Sequence, residues 1–199
     1  MTVRAAAVIL AAGLSARMGD RPKLLLDVGG APMIRRTAEN VLAFEPVETL
    51  VVTGHRSEEI EAALEGLPVR FVHNPRYAEG QPTSVAAGVS ALATPCDAVM
   101  VVLGDQPLVT APHLRSLVSA FCERGEASIL VPFHAGQRGN PVVIEARHIP
   151  AMMGGEVNLG CRRLIETHPD EVCTVDMGTD VFTFDCDTPE DYERLLGRV

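Results

Sequence analysis

The chain has 199 residues, 47% of them apolar, with 17 basic against 26 acidic side chains for a formal net charge of −9. That length suits one domain, and the acidic balance disfavours nucleic acid as a partner. No apolar run reaches the roughly 18 residues of a membrane span, and five scattered cysteines without a CxxC pair point to reduced thiols in the cytoplasm, not to a disulfide framework or a zinc site.

The opening MTVRAAAVILAAG runs straight into a glycine loop, so AAAVIL (5–10) reads as a first buried strand and not as a signal peptide. PMIRRTAENVLAF (32–44) reads as a helix with Pro32 in its first turn, and ETLVVTG (48–54) as a second strand. SEEIEAALEG (57–66) predicts a helix capped by Ser57 and stopped by Gly66. VRFV (69–72) is a third strand, PTSVAAGVSAL (82–92) a small-residue helix, and DAVMVVL (97–103) a strand apolar enough to be buried on both faces. APHLRSLVSAFCERG (111–125) and ASILVPF (127–133) supply another helix and strand. This alternation predicts an α/β fold of three layers, with a mostly parallel central sheet and helices on both faces. After residue 134 the rhythm breaks into short strands, helices and turns, read as the second part of one domain spanning 1–199 and built around a substrate.

Chemistry concentrates at strand ends, where open parallel sheets bind ligands. The loop LAAGLSARMGDRPK (10–23) combines Gly13 and Gly19 with Arg17 and Lys23, a pattern suited to an anion. It is neither a dinucleotide fingerprint, since Ser15 and Met18 replace the later glycines, nor a P-loop, since five residues separate its glycines and Asp20 follows the second. As bare chemistry it is a polyphosphate loop or a tight turn. Asp105, in VLGDQP (102–107), is a hard ligand for Mg²⁺ or an Asx-turn or helix-capping residue. In FDCDTPEDY (184–192), read as the end of a strand, Asp185 and Asp187 are expected on opposite faces, so that only one meets Asp105; Asp187 is a second metal ligand or the N-cap of the following helix. Gly80 to Ser84 places a helix start and a hydroxyl near the same edge, or is only a first turn. The six histidines show no metal-ligand spacing, and Cys161 beside Arg162 and Arg163 has no companion that asks for a thiol nucleophile.

The string from Leu10 to Gly19 with Lys23, together with GDxP at Gly104–Pro107, resembles the MobA-like nucleotidyltransferases, the group that includes molybdopterin cytidylyl- and guanylyltransferases. The resemblance implies a Rossmann-like nucleotidyltransferase fold, with residues 1–133 holding a nucleoside triphosphate and 134–199 the acceptor. It implies that Leu10, Ala11, Ala12 and Gly13 lie against base and ribose, with Gly80 and Ser84 nearby. Ser15, Arg17 and Lys23 would face the phosphates, and Asp105 and Asp187 would hold Mg²⁺. Ala12 stands where the guanylyl branch carries glycine, which favours CTP. The implied acceptor is molybdopterin through its terminal phosphate, with an apo-molybdoenzyme as a further partner. Departures concern the acceptor side: Asn140 replaces a histidine common in the cytidylyl branch, and GGEVNLGCRRL (154–164) is longer than the GDxGAR element it resembles. A sugar-phosphate acceptor, a non-catalytic cofactor chaperone and a dinucleotide oxidoreductase are the rival readings, the last disfavoured by the missing GxGxxG.

Overall fold

A computed structural model describes residues 3–14, 22–154 and 161–199. Three strands fill the middle of the sheet, β1 (Ala5–Ala11), β2 (Thr49–Thr53) and β4 (Ala98–Leu103), and nearly all their side chains are buried. Such two-sided apolarity requires cover on both faces. The edge strand β3 (Arg70–His73) is largely exposed. The remaining strands are β5 (Ile129–His134), β6 (Gln137–Arg138), β7 (Val142–Glu145) and β8 (Val172–Asp176). The order is β3-β2-β1-β4-β7-β5-β6, with β8 pairing β5. β1 pairs β2 and β4 in parallel, β2 pairs β3 in parallel and β5 pairs β8 in parallel, whereas β7 is antiparallel to both β4 and β5.

The alternation of β1 divides the core. Ala5, Ala7, Ile9 and Ala11 pack with α1 (Met33–Leu42), α2 (Ser57–Ala63) and α4 (Ala111–Cys122). Val8, Leu10 and Ala12 pack on the other face with α3 (Gln81–Ser90), α5 (Ile149–Met152) and α6 (Cys161–Thr167). Two helical layers thus sandwich the sheet, as the alternating pattern predicts. A third cluster seats α7 (Pro189–Leu196) through Leu195 against Val28, Met33, Phe184 and Cys186. α1 shows how the sequence specifies this packing: Met33, Ile34, Thr37, Ala38 and Val41 recur at helical spacing and are its buried residues.

Two local expectations are corrected. Ser57 does not cap α2; Arg56, in the left-handed region at φ 55°, precedes the helix and Ser57 is its first residue. The segment before α7 is not a strand: a short 3-10 turn (Asp180–Phe182) leads into residues 184–187, which have no regular secondary structure. No described helix is long and apolar enough to cross a membrane, and Cys96, Cys122, Cys173 and Cys186 are free thiols.

Candidate active site

The chain leaves β1 toward β2 on one side and reaches β4 on the other, so the sheet's switch point lies between β1 and β4. A crevice opens there, beyond the carboxyl ends of both strands. It has a volume of about 830 Å³ and is walled by the ends of β1 and β4, the start of α3 and residues 185 and 187. The floor is held by a close backbone approach: Gly104 N donates to Leu10 O at 3.0 Å, and a Cβ on Gly104 would meet that oxygen at 2.9 Å. Thr37 Oγ1 donates to Gly104 O at 3.0 Å, tying α1 to the same turn. Glycine before Asp105 is therefore a packing requirement that lets the β4 loop lie against β1.

Lys23 crosses the crevice. Its Nζ is 2.5 Å from Asp105 Oδ2 and 2.9 Å from Asp187 Oδ1, with the three side chains only 12%, 13% and 25% exposed. Burial works against the ammonium charge, but the two carboxylates outweigh it and raise the Lys23 pKa. Asp105 does not cap a helix: α4 is capped by Thr110, which shares a capping box with His113. Asp187 is not a cap either, since Thr188 and Asp191 form the capping box of α7. Both carboxylates instead bind the Lys23 ammonium.

Asp185 faces the same crevice, against the expectation of opposite faces. Side chains two residues apart along an extended chain share a side; here Phe184 and Cys186 turn into the core while Asp185 and Asp187 turn to the cavity. Burial, then the charges of Asp105 and Asp187, push the Asp185 carboxyl up to about 6. Gln106, 1% exposed, donates to Asp185 Oδ1 at 2.7 Å.

The other predicted residues divide. Leu10, Ala12, Gly13, Gly80 and Ser84 line the crevice. Ala11 does not; strand alternation turns its side chain to the opposite core face. Ser15 and Arg17 lie outside the described residues, as does most of the GGEVNLG segment. Gly80 takes φ 116° immediately before α3, a conformation that favours glycine. Ser84 is buried, and its Oγ accepts from Asn74 Nδ2 at 2.9 Å, as does Thr83 Oγ1. Asn74 and Tyr77, which line or brace this wall, were not singled out from sequence; the only local signal is that Asn74 follows β3 directly, at a strand end. A second cavity of about 430 Å³ adjoins the first, sharing Gln81, Leu103 and Asn140. Its lining is mostly aliphatic, with Arg138 as its cation.

Two carboxylates converging on one cation fit a divalent ion that keeps several waters and completes its shell with phosphate oxygens. Among the described residues no group of three or more His, Cys, Asp or Glu side chains could by itself hold a metal ion.

Comparisons with known proteins bear on the family of the chain. Residues 7–172 match the model of the MobA-like NTP transferase domain. The chain is 30% identical to a protein of Natronomonas pharaonis named "Probable molybdenum cofactor guanylyltransferase", over 96% of each chain. It is also 30% identical to the molybdenum cofactor cytidylyltransferase of Escherichia coli K12, over 93% of this chain and 92% of the other. A solved nucleotidyl transferase from Methanothermobacter thermautotroptrophicus superposes with a TM-score of 0.81 at 27% identity, covering 98% of this chain and 97% of that one. With the family model spanning most of its length and Gly13, Lys23 and the GDxP turn meeting in one crevice, this chain belongs to the MobA-like NTP transferase family.

Proposed function

We propose that the protein transfers CMP from CTP to the terminal phosphate of the molybdenum-pterin cofactor and releases pyrophosphate. The observation that carries the reading is the Lys23 ammonium held between Asp105 and Asp187 at the switch point. It marks a cation position on the wall of the crevice. Asp105 and Asp187 would hold Mg²⁺, whose chemistry there is neutralisation of charge on the triphosphate. Lys23, with Arg17 of the same loop, binds the β- and γ-phosphates and stabilises the charge that grows on departing pyrophosphate. The acceptor phosphate is already anionic near neutral pH, so its attack on the α-phosphorus needs alignment and no general base.

The second cavity, with Arg138 in its otherwise aliphatic lining, is where the body of the acceptor would lie. Asn140 lies on the wall shared by the two cavities, where the acceptor phosphate must pass. Relatives named for guanylyl and for cytidylyl transfer are equally similar, so the choice of CTP rests on Ala12. Pyrophosphate release with each of four NTPs, against molybdopterin and a panel of sugar- and polyol-phosphates, tests the proposal. Turnover with CTP and molybdopterin is expected; turnover only with another phosphate would transfer the reading to that acceptor. Loss of turnover in a folded Asp105→Ala variant is expected as well, and an active one would remove the metal pair from the mechanism.

A further inference from the structure

Gln106 follows Asp105 and is almost fully buried, an unusual place for a long polar side chain. Its two amide protons are both used. One goes to Asp185 Oδ1 at 2.7 Å and the other to the carbonyl of Phe182 at 3.3 Å, so Gln106 reaches 79 and 76 residues along the chain. Its own Oε1 is buried with no partner. A glutamine that leaves its acceptor unpaired is there for its donors.

The Phe182 carbonyl is a meeting point for three loops. It also accepts from Asn140 N at 2.8 Å, and Gly139 lies so close that a Cβ would approach the same oxygen to 2.4 Å. The β4 loop with Asp105, the β6–β7 loop with Asn140 and the segment carrying Asp185 and Asp187 are therefore fastened at one oxygen and one amide. Gln106 supplies the only side chain described between the first and third of these on that carbonyl.

We propose that Gln106 is a positioning residue that sets the distance between Asp105 and Asp187, and through it the affinity of the carboxylate pair for a divalent cation. The inference rests on the metal reading above. Gln106 touches neither phosphate nor metal in this role; it acts by holding the 182–187 segment against the β4 loop. Removing its donors frees that segment and lets the two carboxylates separate, while the nucleotide wall of β1 and α3 is untouched.

The test is titration of the intact protein with Mn²⁺, read by electron paramagnetic resonance, in parallel with binding of metal-free CTP. Gln106→Met keeps length and apolar shape, removes both donors and removes the orphaned acceptor. It is expected to weaken Mn²⁺ binding at least about fivefold while leaving metal-free CTP binding within about twofold. Equal Mn²⁺ affinity in a folded Gln106→Met protein overturns the proposal. Parallel loss of CTP binding overturns it too, because the effect would then be general collapse of the site. Asp185→Asn approaches the same bond from the other side. Its amide oxygen still accepts from Gln106, so Mn²⁺ affinity is expected to stay well above that of Asp185→Ala. If Gln106→Met does not fold, this pair decides, and equal losses in Asn and Ala overturn the positioning role. Asp105→Asn separates the two levels: if it binds Mn²⁺ like wild type, the metal reading itself has failed, whatever Gln106 does.

Discussion

The ammonium of Lys23 joins Asp105 and Asp187, carboxylates 82 and 164 residues further along the chain, within 2.9 Å of each. The position between the two carboxylates is therefore filled by a cation of the chain itself. A divalent ion must displace a half-buried lysine, and a triphosphate that draws Lys23 away makes room for it. Lys23→Met is accordingly expected to shift two affinities in opposite directions. Mn²⁺ alone should bind more tightly than to wild type, because two carboxylates lose their counter-ion. CTP should bind at least about tenfold more weakly, near 1.4 kcal/mol. Isothermal titration of each ligand separately checks this; weaker Mn²⁺ binding in the variant would contradict it.

A second prediction concerns pH and lies far from the crevice. His148 is buried, with Nε2 2.7 Å from Ser128 Oγ, while Ser128 donates to Glu171 at 2.6 Å. Burial lowers the His148 pKa below 6.5, with the Glu171 charge opposing it. Below pH 6.5 the unfolded chain thus binds a proton that the folded protein refuses, so stability is full above 6.5 and is lost as pH falls from there toward the folded value. Glu171, held below 4.5 first of all by the hydrogen bond from Ser128, stays ionised between pH 5 and 7.5. Urea unfolding between pH 5 and 7.5 should show a slope that His148→Gln, which can still donate to Ser128, flattens.

Gly88 is the third case, and two effects compete there. Alanine favours a helix interior over glycine by about 1 kcal/mol. A Cβ at Gly88 would however lie 2.4 Å from Val8 Cγ1 and 2.9 Å from Val52 Cγ2, both on central strands. Overpacking of this kind costs about 1–3 kcal/mol, so Gly88→Ala is expected to lower the Tm despite its better helix propensity. Adding Val8→Ala should recover part of the loss.

The base preference is the boldest expectation. Ala12 is buried in the wall that also holds Tyr77, and a Cβ on Gly54 would come within 2.9 Å of its methyl. Its effect on a base is exerted through that wall. A site that leaves a base's hydrogen-bonding groups unpaired discriminates by roughly 1–3 kcal/mol per group. One methyl does not supply this alone, so Ala12→Gly should narrow the CTP preference without reversing it. A wild-type kcat/KM for GTP equal to that for CTP would remove the cytidylyl assignment and leave the family unchanged.

Much of this was legible before any coordinates. The buried strands announced themselves by unbroken apolarity, and Lys23 and Asp105 stand in motifs attached to strand ends, where local sequence fixes position. What escaped depends on contacts between distant segments. Asp185 was misplaced because a two-residue spacing was read as a change of side, when it preserves the side. Gln106 looks like an ordinary loop residue until Phe182 and Asp185 are brought to it. Arg56 took an unfavoured left-handed conformation that no composition rule indicates. The antiparallel run through β6 and β7 escaped as well: Ala135 and Gly136 both take positive φ in a two-residue turn between His134 and Gln137, the backbone of a tight hairpin, but alanine is not the residue that announces such a turn.

That reversal of direction has an architectural consequence. Because β7 runs against β4, with Val142 beside Val101, the loop entering β7 reaches the crevice at the edge where every parallel neighbour offers a loop leaving its strand. The floor built by β1 and β4 is anchored by strands buried on both faces, whereas the Gly136–Asn140 approach is tethered mainly by its hairpin and the Phe182 carbonyl. On the proposed function, changing that one hairpin would alter the acceptor wall while leaving the triphosphate side of the crevice as it is. Exchanging that hairpin between relatives is thus the shortest route to moving one acceptor specificity onto another chain.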